Sequence, residues 1–99
     1  MTEANALTYE LPANISIQTI EFVASEFAKL VFEKKPLVVD AAKLEVLTTP
    51  GVQLFVSVAN TLEKDSCTFV IINAGNNIIN VFETLGFKDQ YLKWSKANG

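Results

Sequence analysis

Two short apolar runs, Leu37-Val38-Val39-Asp40-Ala41 and Cys67-Thr68-Phe69-Val70-Ile71-Ile72, limit what this chain can fold into. Both are rich in β-branched residues and apolar at successive positions. That is the pattern of a strand covered on both faces, as in a parallel sheet with helices packed on it. The stretches around them carry helical spacing. From about Ser16 to Phe32, the residues Ile20, Val23, Ala24, Phe27, Leu30 and Val31 form one stripe, with Glu21, Ser25, Glu26, Lys29 and Glu33 mostly opposite. Ser16 or Asn14 can cap its start, Lys34-Lys35 suit the negative end of the helix dipole, and Pro36 stops it. A second helix buries Val52, Phe55, Val56, Ala59 and Leu62. Its start signal is clear, with Thr49 as N-cap and Pro50 at the first helical position, where a missing N–H costs nothing. A third helix runs from about Asn77, turns Ile78, Val81, Phe82 and Leu85 inward, and has Gly86 as its C-cap.

Before the first helix, Leu7-Thr8-Tyr9-Glu10-Leu11 alternates apolar and polar, which predicts a strand with one solvated face, ended by Pro12. There is room for only one strand before Ser16. A brief extended stretch follows Lys43 and Leu44. The tail from Phe87 to Trp94 reads as a last strand or a helical turn, with Phe87, Tyr91 and Trp94 covering the end of the core. The order strand, helix, strand, helix, strand, helix, tail predicts a small α/β domain over residues 1–99. Its mostly parallel mixed β-sheet has about four strands with helices packed on it, joined by right-handed crossovers. With 99 residues, 49% of them hydrophobic, the chain can hide roughly 65% of its extended surface, enough for one modest core.

Composition then excludes several kinds of chemistry. The chain has no histidine and no arginine, which removes Ser-His-Asp and Cys-His catalytic pairs, imidazole-bound zinc and guanidinium clamps on phosphate. Eight Lys against eleven Asp plus Glu leave a net charge of −3, a poor basis for binding nucleic acid. One cysteine, Cys67, rules out an internal disulfide. In its apolar run it reads as a small buried thiol, a use that fits a reducing cytoplasm. The N-terminus shows no basic region followed by an apolar run, and no stretch is long enough to span a membrane. Paired carboxylates in a cleft pattern, an activated nucleophile and a cofactor fingerprint are all missing, so the reading is a non-enzymatic protein without cofactor or metal.

The loop Leu47-Thr48-Thr49-Pro50-Gly51 is the most informative site, because it lies where a strand region meets a helix N-terminus. Free first-turn N–H groups and the helix dipole favour negative charge there. A phosphate on Thr49 would bring about −1.5 to −2 charge to that point; the plainer role for Thr49 is an N-cap. The turn Asn73-Ala74-Gly75-Asn76-Asn77 is the second candidate, with positive φ expected at Gly75 and Asn76 or Asn77 as a cap. It is read as a structural turn or as a backbone nest for phosphate. Asp40, alone within the strand cores, cannot hold a metal by itself and reads as a strand-end hydrogen-bond acceptor.

From Ser16 to Trp94 the chain resembles the STAS domains (sulfate transporter and anti-sigma factor antagonist). The resemblance rests on the strand and loop Leu37 to Val52, the strand Cys67 to Ile72, and the helix Asn77 to Phe87 closing with Leu85-Gly86-Phe87. It implies that Thr49 stands where the anti-sigma factor antagonists are phosphorylated by a partner kinase that doubles as the anti-sigma factor. Thr48 occupies the family's aspartate position, and Pro50 the position of a small residue. The implied contact residues are Thr48, Thr49, Pro50, Gly51, Gln53 and Asn76, with an anti-sigma or serine-kinase-like partner. Two other readings stand beside this one. One is an unphosphorylated accessory subunit docking to the ATPase of a lipid transporter, or serving a chemotaxis pathway. The other is a small nucleotide- or phosphate-binding module built on Asn73–Asn77.

Overall fold

A computed structural model describes residues 6–96. Its centre is a three-stranded sheet of β1 (Leu7–Glu10), β3 (Leu37–Asp40) and β5 (Phe69–Ile72), in the order β1-β3-β5. Both pairings are parallel, with Leu7 opposite Leu37 and Leu37 opposite Phe69. Because side chains alternate along a strand, Leu37, Val39, Phe69 and Ile71 share one face, and all four are buried. The other face carries exposed Thr8 and Glu10 and half-buried Val38, Asp40 and Ile72. The first apolar run is therefore fully covered on one face only. In β5, Val70 is buried as well, so there the expectation of two covered faces holds better.

Helices α1 (Ile20–Phe32) and α2 (Thr49–Lys64) follow β1 and β3, and α3 (Asn76–Thr84) and α4 (Lys88–Lys96) follow β5. A row of aromatic rings joins these elements across the core. Tyr9 of β1 meets Phe27 of α1 edge-on at 5.4 Å, and Phe27 meets Phe55 of α2 at 6.0 Å. Phe55 then contacts Phe69 of β5 and Phe82 of α3, at 6.2 and 6.3 Å. Phe82 stacks on Tyr91 at 5.1 Å, and Phe69 meets Trp94 of α4 edge-on at 5.2 Å. Such pairs add about 0.5–1.5 kcal/mol each beyond their area burial. The tail is thus a helix whose Tyr91 and Trp94 close the core, as their aromatic character implied.

Three helices leave through the same left-handed exit. Lys34, Ser66 and Gly86 have φ of 56°, 59° and 84°. At the third, the Gly86 N–H donates to the Glu83 carbonyl and the Phe87 N–H to that of Phe82. This is the paired closure that satisfies the last carbonyls of a helix. Gly86 therefore sits one residue past the cap, which is Leu85. At the second exit the Cys67 N–H donates to the Leu62 carbonyl. This places Cys67 beside the end of α2, half-buried rather than fully enclosed.

Several element starts differ from the sequence reading. The α1 helix begins at Ile20, not Ser16, with Thr19 before it. The Thr19 hydroxyl accepts the Ser16 N–H and donates to the Asn14 carbonyl, so residues 16–19 form a turn instead of a first helical turn. Upstream there are two strands, not one: β2 (Asn14–Ile15) pairs in parallel with β4 (Val46–Leu47). Two-residue strands are too short for alternation to reveal them. Among the described residues there are five strands, three in one parallel sheet and two in another. No helix among the described residues is long and apolar enough to cross a membrane.

Phe55 contacts three rings of this aromatic row, on α1, β5 and α3, and is 1% exposed. Phe55→Ala is expected to lower unfolding stability by about 3–5 kcal/mol, read as a shift in the denaturant midpoint. A loss under about 1 kcal/mol would show that the row does not carry the core.

Candidate functional site

The approach to α2 is built on the short β2–β4 pair. Ile15 and Leu47, opposite one another in its register, are both buried. Thr48 follows as the N-cap, in extended conformation. Its N–H and its hydroxyl both donate to the Ile15 carbonyl, each at 3.1 Å. The hydroxyl is therefore turned back onto the strand and does not cap the helix. Thr49, expected to be the cap, is the first residue inside α2 and is exposed.

This start presents fewer donors than the sequence implied. Pro50 has no N–H, and the N–H groups of Gly51 and Val52 both donate to the Thr48 carbonyl. Among the first four positions, the Thr49 N–H is the donor not held inside the helix. Gly51 is buried and serves packing rather than contact. A Cβ there would lie 2.6 Å from Leu47 Cδ1 and 2.8 Å from Ile15 Cγ2. The glycine thus lets the first turn of α2 sit directly on the β2–β4 pair. Pro50 is half-buried beside it.

The exposed candidates divide into two groups. Thr49 and Gln53 are four residues apart on α2 and share one face. Thr49 also borders a hollow of about 360 Å³ with Thr48, Asn80 and Thr84, floored by Leu47, Val81 and Leu85. Asn80 and Thr84 were missed by the sequence reading. Their four-residue spacing on α3, opposite the buried Ile78 and Phe82, was the available signal. Asn76 is exposed at the first residue of α3 and does not line this hollow.

The Asn73–Asn77 turn is tied into the same end of the sheet. Asn73 Nδ2 donates to Asp40 Oδ1 at 3.0 Å, and the Ala42 N–H donates to the same oxygen at 2.9 Å. Asn77 Nδ2 donates to the Glu45 carbonyl at 3.0 Å. Asp40 thus accepts at the strand end, as expected, and the two asparagine amides brace the loops after β3 and β5. The positive φ belongs to Asn73, at 63°, and not to Gly75, which has φ −77° and caps α3 without a side-chain bond. Asparagine tolerates that conformation because its short polar side chain bonds locally. The Asn73 bond, then the Ala42 N–H, hold the Asp40 carboxyl below its ordinary pKa.

The electrostatics of α2 are as distinctive as its start. From Thr49 to Leu62 the sequence carries no charged residue. Thr49, Gln53, Ser57, Asn60 and Thr61 make its exposed surface, so one side of the protein presents an uncharged, small-residue helix face.

Comparisons with known proteins bear on this arrangement. The model of the STAS domain family matches residues 2–96. A solved structure described as an anti-sigma-factor antagonist (STAS) domain protein from Planctomyces limnophilus superposes with a TM-score of 0.72 at 17% identity. It covers 85% of this chain and 76% of that one, a likeness of fold. No curated protein matches the chain.

Two outcomes follow from the geometry. Gly51→Ala should cost about 1–3 kcal/mol of unfolding stability, since the added methyl must displace Ile15 and Leu47. A neutral substitution would contradict the close approach. The folded Asp40 pKa lies below its unfolded value. Its contribution is therefore present above the ordinary aspartate range and lost as pH falls through the lowered folded value. Carboxyl-carbon NMR should find Asp40 titrating below free aspartate, and Asn73→Ala should move the midpoint back up.

Proposed function

The chain belongs to the STAS domain family, and we propose that within it this protein is a non-enzymatic docking regulator of the anti-sigma-factor-antagonist kind. STAS domains generally mediate protein–protein interactions. The contact surface is the exposed part of the Thr48–Thr49 loop together with the outer face of α2. The observation that carries this reading is the uncharged run from Thr49 to Leu62, which begins at an exposed threonine. Charge is depleted at the centres of protein interfaces, whereas a helix face meant only for solvent has no reason to exclude it.

In this reading the partner is a kinase-type anti-sigma factor, and Thr49 is the residue it phosphorylates. A phosphate there would be the only formal charge on the face and would bring about −1.5 to −2. With Pro50 lacking an N–H and Gly51 and Val52 bonded internally, the helix start can neutralise little of it. The phosphate would thus remain a charge to be desolvated when the partner docks, and phosphorylation would favour release. The same reading places the protein in the cytoplasm, which a free Cys67 supports.

One observation favours a second reading. Thr48 stands at the family's aspartate position, and its hydroxyl is committed to the Ile15 carbonyl. A chain without that acid fits an unphosphorylated accessory subunit, docked through the same face to a transporter ATPase or a chemotaxis component.

Intact-mass measurement on protein purified from its own cells separates the two. The regulator reading expects one phosphate on the wild type and none on Thr49→Ala, with Thr49→Ala still binding the partner. It also expects Thr49→Glu to weaken binding at least tenfold, about 1.4 kcal/mol. Absence of phosphate in every growth state, with Thr49→Glu still impaired, selects the accessory subunit. Unimpaired binding by Thr49→Glu overturns both.

A further inference from the structure

The outer face of α1 carries large apolar side chains in water. By the helical turn, Ser25 stands opposite the buried Val23 and Phe27. It is the centre of an exposed stripe made of Glu21, Phe22, Ala28, Lys29 and Phe32. Phe32 is 83% exposed and Phe22 64%, and Ile17, in the turn before α1, is 79% exposed. They are the three most exposed large apolar side chains among the described residues. One such residue on a surface is ordinary, but a cluster on one face marks a contact surface.

The stripe is ordered about its middle. Glu21 and Lys29 lie four residues before and after Ser25. Ser25 and Ala28 are small and permit close approach, and the Ser25 hydroxyl already donates to the Phe22 carbonyl at 3.1 Å. Phe32 lies about 10 Å beyond Ser25 by the helix rise, and Ile17 lies at the opposite end. The helix dipole accounts for Glu21 in the first turn and Lys29 in the last. It gives no reason for the exposed Phe22, Phe32 and Ile17.

We propose that α1 is the interface of a two-fold homodimer, in which two copies of this chain cross antiparallel at Ser25. The stripe complements itself when reversed, as an isologous contact requires. Glu21 of each copy meets Lys29 of the other, so the ion pair forms twice, and Phe22 lies along the stem of that lysine. Phe32 of each copy covers Ile17 of the other. Within one chain Lys29 Nζ reaches Glu26 Oε2 at 3.6 Å while 78% exposed, a surface pair too weak to withhold it. The interface uses neither Thr49 nor Gln53 and does not depend on the docking reading. A single helix pair is a small interface, so the dimer is weak, with a Kd of about 0.1 mM.

Sedimentation velocity on the full chain, with backbone amide shifts followed on dilution, tests this. A monomer–dimer equilibrium is expected, with shifts confined to residues 17–33. Glu21→Lys and Lys29→Glu should each raise Kd about tenfold, and the double reversal should return it to within about twofold of the wild type. Phe32→Ser should also raise it about tenfold without moving the unfolding midpoint of the dilute protein, because the ring is exposed in the monomer. A monomer at every concentration up to about 1 mM would leave the face to a different protein and overturn the proposal. So would shifts centred elsewhere, a Kd unmoved by the single reversals, or a double reversal no tighter than either.

Discussion

The contact of Phe55 with Phe27, Phe69 and Phe82 is the junction on which the rest depends. One ring on α2 touches α1, the last strand and α3, so the position of α2 is fixed from three sides. The same helix carries Thr49 at one end and, toward the other, Val56, Ala59 and Glu63, which line a hollow against α4. Burial of Phe55 therefore sets where the outer face of α2 points. Aromatic rings suit this task because each reaches far from its backbone and packs with a preferred geometry. A core of small aliphatics could fill the volume without fixing four elements against one another.

A second layer of constraint acts at the carboxyl end of the sheet. Asp40 holds the Ala42 amide and the Asn73 side chain, while Asn77 holds the Glu45 carbonyl. The short β2–β4 pair adds the Ala13 and Ile15 carbonyls, which accept from Glu45, Val46 and Thr48. The loop bearing Thr49 is thus anchored at its base by backbone bonds and left exposed at its tip. That combination suits a recognition element, since a preordered loop loses less entropy when a partner binds.

The α/β class and the parallel sheet were readable because their signals are long. Runs such as Phe69–Ile72 and the stripe through Val52, Phe55, Ala59 and Leu62 repeat often enough to fix a period. The misplaced starts have a shared cause. Ser16, Thr19, Thr48 and Thr49 are all able to cap a helix, and which one does so depends on contacts distant in sequence. The Ile15 carbonyl, which holds Thr48 from 33 positions away, cannot be inferred from local propensity. The same holds for Gly51, whose buried role arises only once β2 and β4 lie beneath it. Among the site residues, Thr49, Gln53 and Asn76 were foreseen as surface. Asn80 and Thr84 escaped because a polar helix face resembles any solvated one until a neighbour turns it into the wall of a hollow.

The wholly parallel arrangement of the strands has a consequence for how the chain must assemble. Each pairing in the central sheet joins residues about thirty positions apart, Leu7 with Leu37 and Leu37 with Phe69. No hairpin can nucleate such a sheet, and separations of this kind slow folding because chain entropy is lost before contacts reward it. During synthesis β1 must wait for α1 and β3 to emerge, and β3 keeps an unpaired side until β5 follows α2. The nascent polypeptide thus passes through a stage in which an apolar strand edge is bare, an interval in which a chaperone has something to recognise.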